Sequence, residues 1–150
     1  MQLTRLVPIL VFSVSILILI LPGLRADEEA TEAVLKLELR FPVDAKISDE
    51  AVFWGRLWEY DSFLADASAK EVDSVEIHVS KFTKGADGVV KVSTLLKAPL
   101  QERRKYYVTV RVYPDATKDE SSDRFFLDGF NKVFEDGKGQ TLEAELKPPR

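Results

Sequence analysis

Arg104-Lys105-Tyr106-Tyr107-Val108-Thr109-Val110-Arg111-Val112-Tyr113 is the stretch that decides the fold. Tyr106, Val108, Val110 and Val112 fall on one parity, and Tyr107, Thr109, Arg111 and Tyr113 on the other. Side chains of a strand point alternately to its two faces, so the pattern reads as a strand with one face on a core. Its β-branched and aromatic residues suit a pleated, half-buried surface.

The same period recurs on both sides. Leu35, Leu37, Leu39 and Phe41 alternate with Lys36, Glu38 and Arg40, and Pro42 ends that run. Val52 to Tyr60 is apolar on both faces, with Val52, Trp54, Trp58 and Tyr60 on one and Phe53 and Leu57 on the other. A strand of that kind is central or covered. Val72 to Val79 and Val89 to Leu96 are further strands, separated by the turn Lys84-Gly-Ala-Asp-Gly88. Downstream, Pro114 to Asp123 is a polar loop, and Phe125–Leu127 and Lys132–Phe134 flank Asp128-Gly129. Asp136-Gly-Lys-Gly139 is a turn, and Leu142, Ala144 and Leu146 alternate with Glu143 and Glu145 before Pro148-Pro149.

About seven short strands spaced by turn residues predict an all-β, antiparallel, immunoglobulin-like sandwich. Residues 33–147 form this domain, preceded by a polar lead at 27–32. The expected core includes Leu35, Leu37, Leu39, Leu57, Val75, Ile77, Val108, Val110, Leu142 and Leu146. Helical periodicity is absent from the domain, apart from one or two possible turns in Ser62–Lys70.

Residues 1–26 read as an export signal helix. Arg5 precedes an uncharged apolar run from Leu6 to Leu24, and Ala26 stands before Asp27-Glu28-Glu29. An uncleaved membrane anchor is the alternative, because the run approaches the roughly 18–20 residues that span a bilayer. Either way residues 27–150 face outward, periplasmic or secreted, and the membrane is met only through an uncleaved N-terminal segment. The chain has no cysteine. It therefore forms no disulfide and offers no thiol for a lipid.

Without Arg5 and Arg25, 19 basic residues face 25 acidic ones. Such a domain is a poor ligand for nucleic acid or an anionic membrane surface. His78 is the only histidine and lies mid-strand, where it reads as solvent-facing rather than as part of a triad or zinc site. Asp115, Asp119, Glu120 and Asp123 share one loop without the spacing of a calcium loop. No cofactor is implied. Trp54, Trp58 and Tyr60 remain. At strand spacing such rings are core or, if exposed, a binding platform for a protein or polymer of the envelope.

Asp61-Ser62-Phe63-Leu64-Ala65-Asp66-Ala67-Ser68-Ala69, between two strands, resembles a segment of the YbaY-like and type III secretion pilotin-like envelope proteins. Their segment has the form D-x-S-L-A-D-A-P-A. Arg104–Val112, Arg124–Leu127 and Thr141–Leu146 are similar to that family's later strands and come in the same order, so the resemblance covers residues 34 to 147. Ser68 stands where the family has proline, and many members carry a lipid on a cysteine absent here. The resemblance implies a β-sandwich and a non-enzymatic envelope role.

Asp61, Leu64 and Asp66 then read as parts of a structural crossover, with the carboxylates accepting from backbone N–H groups. The competing reading is a hydrolase of envelope polymers that uses Asp61 and Asp66 as paired carboxylates.

Overall fold

The computed structural model describes residues 31–64, 68–120 and 124–149. The expected signal segment and Asp66 lie outside the described residues. Nine strands are seen among them: β1 (Thr31–Arg40), β2 (Val52–Asp61), β3 (Lys70–His78), β4 (Thr83–Lys84), β5 (Val90–Leu100), β6 (Arg104–Tyr113), β7 (Phe125–Phe126), β8 (Asn131–Val133) and β9 (Gln140–Glu145). The one helical element among the described residues is a short 3-10 turn at Val79–Lys81. Thr31 and Glu32, placed by the sequence in the polar lead, pair with Leu100 and Pro99.

Two sheets form a sandwich. One has the order β4-β5-β1-β9; the other has β3-β2-β6-β7, with β8 also on β6. Leu35, Leu37 and Leu39 of β1 and Phe41 just after it meet Phe53 and Leu57 of β2 and Val108, Val110 and Val112 of β6 in one core. Each such side chain contributes about 1.5–3 kcal/mol when fully buried. Gly55 shares the inward parity of β2. A Cβ there would lie 3.1 Å from the Phe53 ring and 3.3 Å from Val75 Cγ1, so the missing side chain makes room for the phenyl ring.

Three expectations are corrected. The sandwich is not wholly antiparallel, because β1 and β9 pair in parallel, Leu37 opposite Leu142. Parallel neighbours need a long connection, and these two strands stand at opposite ends of the domain. Val75, Ile77 and Leu142 are half-buried rather than buried. All three lie on sheet-edge strands, β3 and β9, where the opposite sheet covers one flank only. Finally, Asp61–Ala69 is not a crossing between sheets. It joins β2 to β3, which are antiparallel neighbours in one sheet.

Both flanks of the sandwich are laced. Beyond β9, Lys147 leaves its sheet and bridges Phe126 of β7, with N···O distances of 2.8 and 3.1 Å. On the other flank Asp73 sits at the β-bulge opposite Leu57 and Trp58. Its carboxylate accepts from its neighbour Ser74 N at 2.8 Å and, across the gap, from Lys97 N of β5 at 2.7 Å. One short side chain thereby satisfies a donor that no strand pairs.

Candidate functional site

The inward parity of β2 is taken by Phe53, Gly55, Leu57 and Glu59, so Val52, Trp54, Arg56, Trp58 and Tyr60 face outward. On β6 the outward set is Lys105, Tyr107, Thr109, Arg111 and Tyr113. The ladder sets Tyr60 opposite Lys105, Trp58 opposite Tyr107, Arg56 opposite Thr109 and Trp54 opposite Arg111. Side chains directly opposite are within contact distance, so the outer face becomes a two-column array of rings and cations.

The upper end of this array is covered by the acidic loop after β6. Tyr113 OH donates to Glu120 Oε1 at 2.7 Å, Arg111 Nη1 pairs with Glu120 Oε2, and Arg124 Nη2 lies 3.1 Å from the same oxygen. The Tyr113 hydroxyl, followed by the two guanidinium groups, holds the Glu120 carboxyl below its ordinary range. Lys118 pairs with Glu76 of β3 and lies 4.7 Å over the Trp54 ring.

The lower end is open. Trp58 and Tyr107 stack, with centroids 6.2 Å apart and planes 12° apart. Tyr60 meets Tyr107 edge-on at 5.8 Å, and Phe130 closes on Tyr107 at 4.6 Å and on Tyr60 at 5.7 Å. Trp58 Nε1 donates to Thr109 Oγ1 at 2.9 Å, which fixes the indole. Phe130 is 56% exposed, so the floor it borders is reachable from solvent. Burial raises the Tyr107 hydroxyl above its ordinary range, against the opposing charge of Arg56.

Trp54, Trp58 and Tyr60 are thus brought together on one half-buried outer face, outside the core. Tyr107, Arg56 and Phe130 complete it. Tyr107 was visible in the β6 alternation, but nothing in the sequence said that β6 would lie beside β2. Phe134 is buried against Tyr106, Phe125 packs edge-on to Phe41, and Phe130 joins the outer floor.

Asp61 Oδ1 accepts from Phe63 N at 2.9 Å, Asp61 O accepts from Leu64 N at 3.3 Å, and Asp61 Oδ2 lies 3.7 Å from Arg104 Nη1. Leu64 is 58% exposed in the same turn. Asp66, the other carboxylate of the hydrolase reading, lies outside the described residues. His78 is exposed at the end of β3. The outer face of the other sheet carries an open groove of about 510 Å³ between Glu38, Arg40, Lys91 and Glu143. Part of its charge is paired internally, as in Lys36–Glu38 and Arg40–Glu145, and no ring lines it.

No protein-family model and no curated protein matches the chain. Among solved structures it resembles an alternative pilotin from the type II secretion system of Vibrio cholerae. The TM-score is 0.57 and the identity 15%, over 80% of this chain and 99% of that one. At that identity the likeness is one of fold, and the chain has a pilotin-like, all-β fold.

Proposed function

We propose that the domain is a non-enzymatic binding or assembly module that works outside the cytoplasm and takes an envelope protein on the aromatic face of the β3-β2-β6-β7 sheet. The observation that carries this reading is the open floor of Trp58, Tyr60, Tyr107 and Phe130. Rings locked by mutual stacking present large apolar area at little entropy cost, which is how protein interfaces obtain their anchors. The pilotin-like fold supports a partner in a secretion apparatus, and the family-like segment at Asp61–Ala69 supports a place among YbaY-like envelope proteins. The signal-like residues 1–26 support export, with membrane anchoring as the variant if they are retained. Asp61 and Leu64 serve the β2–β3 connection in this reading, with Asp61 as its cap.

A capture experiment from envelope extract tests it, with the full chain as bait. Phe130→Asp should abolish capture of the partner. Leu95→Asp, at an equally exposed site on the other sheet, should leave capture intact. The proposal fails if both variants capture equally well.

A further inference from the structure

Within the aromatic face one cation is held unusually. The Arg56 guanidinium lies 4.1 Å over the Trp54 ring and 4.9 Å over the Trp58 ring. Stacking engages the two faces of a guanidinium and leaves its N–H donors in the plane between them. Arg56 forms no ion pair among the described residues. Its cross-strand neighbours are Ser74 and Thr109, neither of which is charged. Of the acidic residues of β3 near it, Asp73 is engaged by the Ser74 and Lys97 amides, Glu76 opposite Trp54 pairs with Lys118, and Glu71 opposite Trp58 forms no ion pair with Arg56.

The contrast with the upper end is sharp. There Arg111, Arg124 and Lys118 are neutralised by Glu120 and Glu76. At the open end, Lys105 opposite Tyr60 and Lys132 opposite Tyr107 join Arg56, and none of the three has a carboxylate partner among the described residues. The open half of the face is therefore apolar in the middle and cationic at its edge, although the whole chain carries a net charge of −4.

We propose that the segment recognised here is an acidic peptide of the partner, with one carboxylate in the plane of the Arg56 guanidinium and an apolar side chain on the Trp58–Tyr107–Tyr60–Phe130 floor. This rests on the functional reading above and names the chemistry of its partner. A preset planar fork matches a carboxylate bidentately, and its orientation between two indoles costs no ordering on binding. Arg56 and Tyr60 are four residues apart on one strand, about 13 Å at the rise of a strand. A peptide offers acidic and apolar groups at that separation. A neutral sugar chain has no charge to meet the cations of Arg56, Lys105 and Lys132, and the Trp58 indole N–H is already engaged by Thr109.

The chain's two tryptophans flank Arg56, so their fluorescence reports this site alone. The probe is a capped peptide of alternating Asp and Leu, roughly ten residues long to cross the face at about 3.3 Å per residue. Its Asn-for-Asp isostere and an oligogalacturonate serve as comparisons. The full chain should show a saturable shift with the Asp peptide, weakened by salt. The isostere and Arg56→Gln should each bind about tenfold more weakly, the size of a charge-assisted pair. Arg56→Lys should recover part of the loss. Lys105→Gln with Lys132→Gln should flatten the salt dependence, which also covers a poorly folded Arg56 variant.

Equal binding of the Asn isostere, indifference to Arg56→Gln, or no response to the Asp peptide overturns the inference. Arg56-dependent saturation by oligogalacturonate without response to the peptide overturns it in favour of an acidic polysaccharide. Capture that depends on Phe130 but not on Arg56 removes the acidic anchor and leaves the functional reading standing. Arg56-dependent peptide binding with capture indifferent to Phe130 does the reverse.

Discussion

Tyr106 sits where β5 turns into β6, and its hydroxyl ties the two sheets at that corner. It donates to Pro99 O at 2.9 Å and accepts from Gln101 N at 3.1 Å, with the ring buried. A tyrosine bonding back to upstream backbone at a sandwich corner is a recurring device of such folds. Tyr106→Phe leaves both backbone groups without this partner and should cost about 1–3 kcal/mol in denaturant unfolding. Burial raises the Tyr106 phenol above 10.0. Its stabilisation is therefore fully present below that value and lost as pH rises through the folded pKa. The gap between wild type and Tyr106→Phe should shrink on the alkaline side. Glu120 has the opposite sign, being held below its ordinary 4.5. Its contribution is present above that value and lost as pH falls through the folded pKa. Glu120→Gln should lower the Tm near neutrality and match wild type in strong acid, as thermal scans across pH would register. The role of Tyr106 was only half legible in the sequence. Alternation placed its ring inward, but the hydroxyl's partners depend on a corner that no local pattern specifies.

At the scale of elements, strands with clean alternation were the readable ones. β1 and β6 are central, buried on one face, and show period two along their length. β4 was not legible, because two residues carry no period. β5 runs past its expected end at Leu96 to Leu100, through Pro99. A proline is tolerated there because that part of β5 has a ladder neighbour on one side only, β1. The parallel partnership of β1 and β9 was equally hidden, since alternation fixes which face is buried but not which strand lies alongside or in what direction. That docking is tight. A Cβ on Gly139 would stand 2.9 Å from Val34 O and 3.3 Å from Val34 N, so backbone must move to admit one. Gly139→Ala should therefore cost about 1–3 kcal/mol. Asp73→Ala removes the acceptor for the Lys97 amide and should cost about 1 kcal/mol. Amide exchange at Lys97 should quicken by more than at the central strands. Uniform exchange across β5 and β1 would show that the lacing is unimportant.

Across the whole molecule the two outer faces differ in chemistry, and that difference is the ground for proposing the aromatic one as the binding surface. One is ringless, with charges paired in part among themselves. The other is an aromatic floor, closed above by the Glu120 loop and open below at Phe130. Residue parity told which rings shared a face of β2. It did not tell that β6 would lie beside them, that Arg56 would lodge between the indoles, or that the acidic loop would cover one end only. Phe130 is 56% exposed and Leu95 55%, so they make a matched pair of reporters on opposite faces. A photoreactive phenylalanine analogue at each site, irradiated in intact cells expressing the full chain, tests the central claim most directly. A discrete crosslinked protein at position 130, absent at position 95, is the predicted result. Crosslinking at position 95 alone, or equally at both, would contradict it.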